Sequence, residues 1–181
     1  SMDNFILLAV PLFVLMANVL LRGGAGDDLF NAVQTWVGHW PGGLAVATIL
    51  SCALFSSISG SSVATAATIG TVAIPAMISR GYERRFVYGL LAAGGTIGIL
   101  IPPSIPMIVF GFVMSESIVD LFLAGIGPGL LLTAVFVIYA VVRSHFWGGQ
   151  SRTERCSWDQ RRRATIKALP ILVLALLILS G

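Results

Sequence analysis

From Gly42 to Ser79 the chain carries no charged residue, yet it is crowded with Ser, Thr, Gly and Ala. Its centre reads Phe55-Ser56-Ser57-Ile58-Ser59-Gly60-Ser61-Ser62-Val63-Ala64-Thr65. A bilayer-spanning helix needs about 20 mostly apolar residues. The stretch is too long for one such helix and too short for two with a loop, and Ser and Gly weaken it where a single span would be most apolar. The pattern predicts a re-entrant hairpin over 42–79, with arms 44–55 and 63–78 joined by 56–62. Irregular backbone at membrane depth is tolerated only when buried in protein or lining a wet cavity.

The flanking pattern adds further elements. The apolar run 5–21, within segment 1–22, predicts a transmembrane helix with Pro11 inside it, ended by Arg22-Gly23-Gly24. Over 28–41, Leu29, Phe30, Val33, Trp36, Val37 and Trp40 share one helical face, with Asn31, Gln34 and Thr35 opposite. That predicts an amphipathic helix at the membrane interface, with both tryptophans at headgroup depth. A second interrupted segment, 86–113, predicts a discontinuous transmembrane helix. The interruption is placed at 94–106, where three glycines (Gly94, Gly95, Gly98) and three prolines (Pro102, Pro103, Pro106) oppose a regular helix. Residues 121–142 predict another span and 143–167 a basic loop. Residues 168–181 start a segment too short to cross, so a longer polypeptide is expected.

Composition fixes the environment. The chain is 56% hydrophobic and 10% charged, with mean hydropathy +0.92, whereas soluble domains carry about 25% charged residues. The apolar runs are long and do not alternate, so the expected class is all-α integral membrane. The net charge of +3 is no nucleic-acid signature, because seven of the eleven basic residues fall between Arg143 and Lys167. Basic loops at 79–85 and 143–167 predict cytoplasmic ends, and the acidic link with Glu116 and Asp120 an external one. Cys52 and Cys156 lie in unlike settings and define neither a disulfide framework nor a metal-ligand spacing. No basic region precedes the first apolar run, so no cleavable leader is expected.

Two places carry candidate chemistry. At the hairpin tip, hydroxyls and carbonyls freed from helical bonding are hard oxygen ligands suited to Na⁺. At the second interruption, prolines leave upstream carbonyls without donors. Paired discontinuous helices are the best sequence pointer to a transporter's midplane site. Each place also has a plainer explanation: small residues for close helix packing, and a simple proline kink. Gly94-xxx-Gly98 and Gly125-xxx-Gly129 fit close contacts of that kind. No Asp, Glu, Lys or Arg falls within a predicted span, which argues against a proton relay or voltage sensor. With no embedded His or Lys as base, an intramembrane serine hydrolase is disfavoured, and no enzymatic activity is expected.

A series of motifs in order carries a resemblance. Pro11-Leu12-Phe13, Arg22-Gly23-Gly24, the 55–64 motif, Ile74-Pro75-Ala76-Met77, Arg80-Gly81-Tyr82, Thr96-Ile97-Gly98, the 101–107 run and the 121–129 run occur in sequence. The chain resembles the large membrane subunit of TRAP (tripartite ATP-independent periplasmic) transporters, the DctM type, in its N-terminal part only. The resemblance implies an elevator-type fold of the ion transporter superfamily and Na⁺-coupled import of organic acids (carboxylates, dicarboxylates among them) across the bacterial or archaeal inner membrane. It implies two partners, a small DctQ-type membrane subunit and a periplasmic solute-binding protein, and no organic cofactor. It implies a Na⁺ site from Ser57, Ser59, Gly60, Ser61, Gly95, Thr96, Gly98 and Pro102. Substrate contacts would come from Ser62, Thr65, Pro103 and Ser104, and the 28–41 helix would be an arm joining transport domain to scaffold. Several relatives carry an acidic residue soon after the hairpin Gly-Ser, where this chain has Thr65 and Thr68. Two other readings stand beside this one: a related carrier working without a binding protein, and a packing or assembly subunit with no ion site.

Overall fold

The computed structural model describes residues 22–40, 42–146 and 162–170, with positions 11, 12, 15, 16, 18, 19 and 173. Most of the predicted first span, most of the basic loop including Cys156, and most of 168–181 lie outside the described residues. The described elements are helices: α1 Ala25–Val37, α2 Gly43–Ser59, α3 Ser62–Ile78, α4 Arg84–Leu100, α5 Ile105–Met114 and α6 Ile118–Phe146.

α2 and α3 form an antiparallel pair. Near their bases Thr48 Oγ1 lies 3.5 Å from Met77 Sδ, and at their joined ends Ser59 Oγ lies 3.0 Å from Thr65 Oγ1. Only Gly60 and Ser61 separate them, because Gly60 takes the left-handed conformation (φ 60°) that stops α2, and Ser61 turns extended to begin α3. The expected link at 56–62 is therefore mostly helix. The Ser56 and Ser57 hydroxyls bond back to the carbonyls of Ala53 and Leu54, at 2.8 and 2.7 Å, and continue the last turn.

The second interruption is also shorter than its composition suggests. α4 runs through Gly94, Gly95 and Gly98 to Leu100, and only Ile101 to Ser104 leave the helix. The glycines serve close approach instead of unwinding. A Cβ at Gly94 would stand 2.9 Å from Cys52 Sγ, and one at Gly98 3.2 Å from both Ser56 Cβ and Ser62 N.

α6 returns past α4. Arg143 near its end lies over the Phe86 ring at 5.9 Å and 3.8 Å from the Glu83 carboxylate. Both described basic ends thus meet at one end of the molecule, opposite the link holding Glu116. The base of the hairpin is there too: Gly42 (φ 71°) abuts α6, and a Cβ on it would stand 2.5 Å from Ser144 Cβ. In the loop at this end, Tyr82 bonds Ser144 and the Ala45 backbone, and its burial raises its pKa above the ordinary phenol value.

The buried positions of α6 are Gly125, Gly129, Thr133, Ala140 and Ser144, all small, whereas Leu123, Leu130, Leu131, Ile138 and Phe146 are exposed. Small residues inward and large apolar residues outward is the packing expected of a helix in lipid, where apolar surface needs no cover. α6 and the run Arg84–Met114 are both long and apolar enough to cross a bilayer. With α6 at 29 residues, its length is about 44 Å.

α1 begins at Ala25, earlier than the periodicity implied, and Leu29 and Phe30 are fully buried in the core shared with the hairpin. Its N-terminal Gly26 touches Thr68 halfway along α3. Near its other end the Gln34 amide, with its oxygen turned to Arg80, accepts from both guanidinium nitrogens at 3.1 and 3.2 Å. α1 therefore lies along the hairpin, and its apolar face meets protein. Trp36 and Trp40, by contrast, are about half exposed, at 46% and 52%.

Candidate functional site

The two interrupted segments meet. The Gly60 carbonyl accepts a hydrogen bond from the Ile105 N–H at 3.3 Å, tying the hairpin tip to the start of α5. A Cβ at Gly60 would stand 2.6 Å from the Pro103 carbonyl oxygen, and one at Gly95 3.2 Å from the Ser62 carbonyl oxygen. Four helix ends converge here. α2 and α4 point their C-termini at this region, and α3 and α5 begin from it. The last carbonyls of a helix lack helical donors and its first N–H groups lack acceptors, so C-termini favour cations and N-termini anions. α2 closes with Gly60 N–H on the Ser56 carbonyl, and α4 with Ile101 N–H on the Ile97 carbonyl, so the three carbonyls following each of those acceptors are past the last helical bond.

A small hydroxyl network lines the tip. Thr65 Oγ1 donates to the Ser61 carbonyl at 2.8 Å, and Ser61 Oγ accepts from the Ala64 N–H at 3.4 Å. Ser59 and Thr65 are buried, Ser61 and Ser62 partly so. Among the described residues four buried hydroxyls have no partner, and two of them are here: Ser62 Oγ and Ser104 Oγ are inaccessible to solvent and unbonded, as are those of Ser51 and Thr68 elsewhere. Such a group costs about 1–3 kcal/mol when left unsatisfied, so two at one junction mark it as a place where oxygen ligands are held without partners. Pro102, Pro103 and Ser104 are all buried.

The residues named from sequence divide into two groups. Ser59, Gly60, Ser61, Ser62 and Thr65 belong to the tip, with Gly95, Gly98, Pro103 and Ser104 supplied to it by α4 and the break. The side chains of Ser57 and Thr96 are directed elsewhere. Ser57 Oγ is held by Leu54 and borders an apolar groove beside α1. Thr96 is exposed and bonds the Ala93 carbonyl at 2.7 Å. What sequence reasoning passed over is the support behind the break. A Cβ at Gly125 would stand 2.7 Å from the Leu100 carbonyl oxygen, and one at Gly129 2.9 Å from Ile101 Cγ1. The Gly125-xxx-Gly129 spacing was visible, but its partner is the broken backbone of α4, which no spacing reveals.

The ligands available at the junction are uncharged oxygens. Among the described residues no cluster of three or more His, Cys, Asp or Glu side chains gathers.

Comparison with known proteins adds the lineage. Residues 1–181 match the family model described as the tripartite ATP-independent periplasmic transporter, DctM component. The chain is 41% identical over 175 residues to the ectoine TRAP transporter large permease protein TeaC of Halomonas elongata, covering 97% of this chain and 41% of that one. It is 41% identical over 181 residues to the C4-dicarboxylate TRAP transporter large permease protein DctM of Pseudomonas aeruginosa, covering 99% and 42%. It is 36% identical over 183 residues to the sialic acid TRAP transporter permease protein SiaT of Haemophilus influenzae, covering 100% and 29%. The chain thus spans about two fifths of the length of the first two relatives.

Proposed function

The chain belongs to the DctM family of TRAP transporter large permeases, and from that premise we propose that it forms the N-terminal part of a Na⁺-coupled importer of organic acids. The observation that carries the reading is the junction of hairpin tip and broken helix, fastened by the Gly60–Ile105 hydrogen bond. In this reading the hairpin is re-entrant from the basic, cytoplasmic end. Its support is depth: the tip meets the break after the 17 residues of α4, while the 10 residues of α5 continue beyond it. At a helical rise of about 1.5 Å per residue those lengths are about 25 and 15 Å.

The donors fit Na⁺, a hard cation served by neutral oxygens. Its proposed ligands are the hydroxyls of Ser59 and Ser61 and the carbonyls of Ser57, Ser59, Gly60, Ser61, Gly98 and Pro102, while Gly95 and Thr96, whose carbonyls precede the last helical bond of α4, would line the site in its final turns. Ser57 enters through its backbone because its hydroxyl is engaged on its own helix, as is that of Thr96. The unpartnered Ser62 and Ser104 hydroxyls, with Thr65 and Pro103, would face the substrate, where the N-termini of α3 and α5 favour a carboxylate. The hairpin, α4 and the break would move as one body in an elevator cycle, because their mutual contacts are backbone-close. A small DctQ-type subunit would brace the assembly in the inner membrane, and a periplasmic binding protein would deliver the cargo. The relatives' names range over ectoine, C4-dicarboxylates and sialic acid, so organic acid is the class proposed, with the zwitterionic ectoine at its margin.

The test is uptake into proteoliposomes holding the complete permease, its small subunit and its binding protein, with labelled C4-dicarboxylate, sialic acid and ectoine offered in turn. The expected result is accumulation of one of them under an inward Na⁺ gradient and not under an equal K⁺ gradient. Accumulation that ignores Na⁺ would refute the coupling, and accumulation without the binding protein would favour a carrier that dispenses with it.

A further inference from the structure

Along the flank of the hairpin, reaching Ile101 of the break, runs a groove of about 430 Å³, bordered by α1, α2, α6 and the helical segment 162–170. Its walls are almost wholly apolar, with Leu50 and Leu54 of α2, Leu29 and Val33 of α1 and Leu130 of α6 among them. Three hydroxyls border it: Ser57 and Thr133 are turned inward to their own helices, to the Leu54 carbonyl at 2.7 Å and the Gly129 carbonyl at 2.8 Å, and Thr165 lies at the mouth. The body of the groove below that mouth is therefore suited to hydrocarbon and not to a carboxylate. Its mouth is of the opposite character. There the Trp36 indole N–H donates to Thr165 Oγ1 at 3.1 Å, joining α1 to the segment 162–170. Arg162 precedes Thr165 by one helical turn and so shares its face. Arg162, Arg163 and Lys167 are all exposed, and the acidic residues of α1, Asp27 and Asp28, stand at its far end from Trp36.

We propose that this groove seats an acyl chain of an anionic phospholipid, whose phosphate is met at the mouth by Arg162. Three features select this occupant. The cavity is walled by apolar side chains over two turns of α2, from Leu50 to Ser57, which suits a hydrocarbon tail. The mouth carries a half-exposed tryptophan, the side chain that settles at headgroup depth. Arg162, exposed on the face that carries Thr165, favours a negative headgroup over a zwitterionic one. The inference rests on the membrane-spanning reading but not on Na⁺ coupling, and its test contains no transport step.

The complete permease is placed in phosphatidylcholine vesicles containing a few per cent of phosphatidylglycerol brominated along its chains, and tryptophan fluorescence is followed. The Trp36 share is taken as the quenching lost in Trp36→Phe. Brominated phosphatidylglycerol is expected to quench Trp36 at a several-fold lower mole fraction than brominated phosphatidylcholine. Arg162→Gln, an exposed change, is expected to raise that mole fraction about fivefold, the effect of one basic residue near a charged surface. As a check that does not depend on the Trp36 variant, phosphatidylglycerol retained through detergent washing and counted by mass should fall in Arg162→Gln and hold in Lys167→Gln, on the opposite face of the same helical segment. Equal quenching by both lipids would make the occupant ordinary annular lipid and overturn the proposal. Absence of Trp36 quenching by either would mean that protein fills the groove, which overturns it as well.

Discussion

Replacing Gly60 by Ala tests the junction with an internal control. Two costs fall on the substitution. The first is conformational: Gly60 sits at φ 60°, and a side chain in the left-handed region costs about 1–2 kcal/mol. The second is steric: the added Cβ would stand 2.6 Å from the Pro103 carbonyl oxygen, a backbone atom of a break that is itself tied to Gly60 through Ile105. Overpacking of this kind adds about 1–3 kcal/mol. Gly81 separates the two costs. It also has a left-handed φ, of 84°, but a Cβ there meets nothing within 4 Å. Gly81→Ala should therefore lose about 1–2 kcal/mol and Gly60→Ala about 2–5 kcal/mol. The assay is unfolding of the complete subunit in detergent, by temperature and by denaturant, with both variants measured beside the parent. Equal losses in the two variants would refute the reasoning, because they would mean that nothing stands against the tip at Gly60.

Three further outcomes follow from the same geometry. Ser104→Ala removes a buried hydroxyl without a partner, so substrate-free stability should hold or rise by up to about 1 kcal/mol while uptake falls, read by melting and by transport side by side. Gly98→Ala should cost about 1–3 kcal/mol because its Cβ meets Ser56 and Ser62 at 3.2 Å. Gly89→Ala on the same helix, in open space, should instead gain about 0.5–1 kcal/mol; melting of the pair shows whether the signs differ. Burial of Tyr82 favours its neutral form and raises its pKa, so its contribution should be fully present below the ordinary phenol pKa of about 10 and lost as pH climbs through the raised value. Stability measured from neutral to strongly alkaline pH should therefore fall more steeply in the parent than in Tyr82→Phe.

The sequence made the two interrupted segments legible because Ser, Gly and Pro ran consecutively where an ordinary span has Leu and Val. It misjudged how long each interruption is, and for a physical reason. Ser56 and Ser57 satisfy their hydroxyls on their own helix, so Ser there extends α2 and leaves Gly60 alone to end it. The glycines of α4 looked like breakers, but Gly94 and Gly98 are the faces against which Cys52 and Ser56 pack, and the helix yields only at the prolines. The periodicity of α1 put Leu29 and Phe30 on its apolar face, and both are buried while Trp36 is not, because periodicity cannot say whether such a face meets lipid or protein. At the candidate site the residue types were legible and their engagement was not. Ser57 and Ser59 differ by two positions, yet one points to an apolar groove and the other to Thr65.

The central claim, that hairpin tip and broken helix together hold Na⁺, is tested most directly by melting the complete subunit, purified with its small partner, in Na⁺ and in K⁺ at equal ionic strength. A ligand that binds only the folded state stabilises it by mass action, by about 2.7 kcal/mol at a hundred times its dissociation constant. A higher melting temperature is expected in Na⁺ than in K⁺, with a smaller difference in Ser61→Ala. The helix cap lost with Ser61, whose hydroxyl accepts from the Ala64 N–H, costs the same in both salts and cancels from the comparison. Identical melting of the parent protein in the two salts would contradict the account.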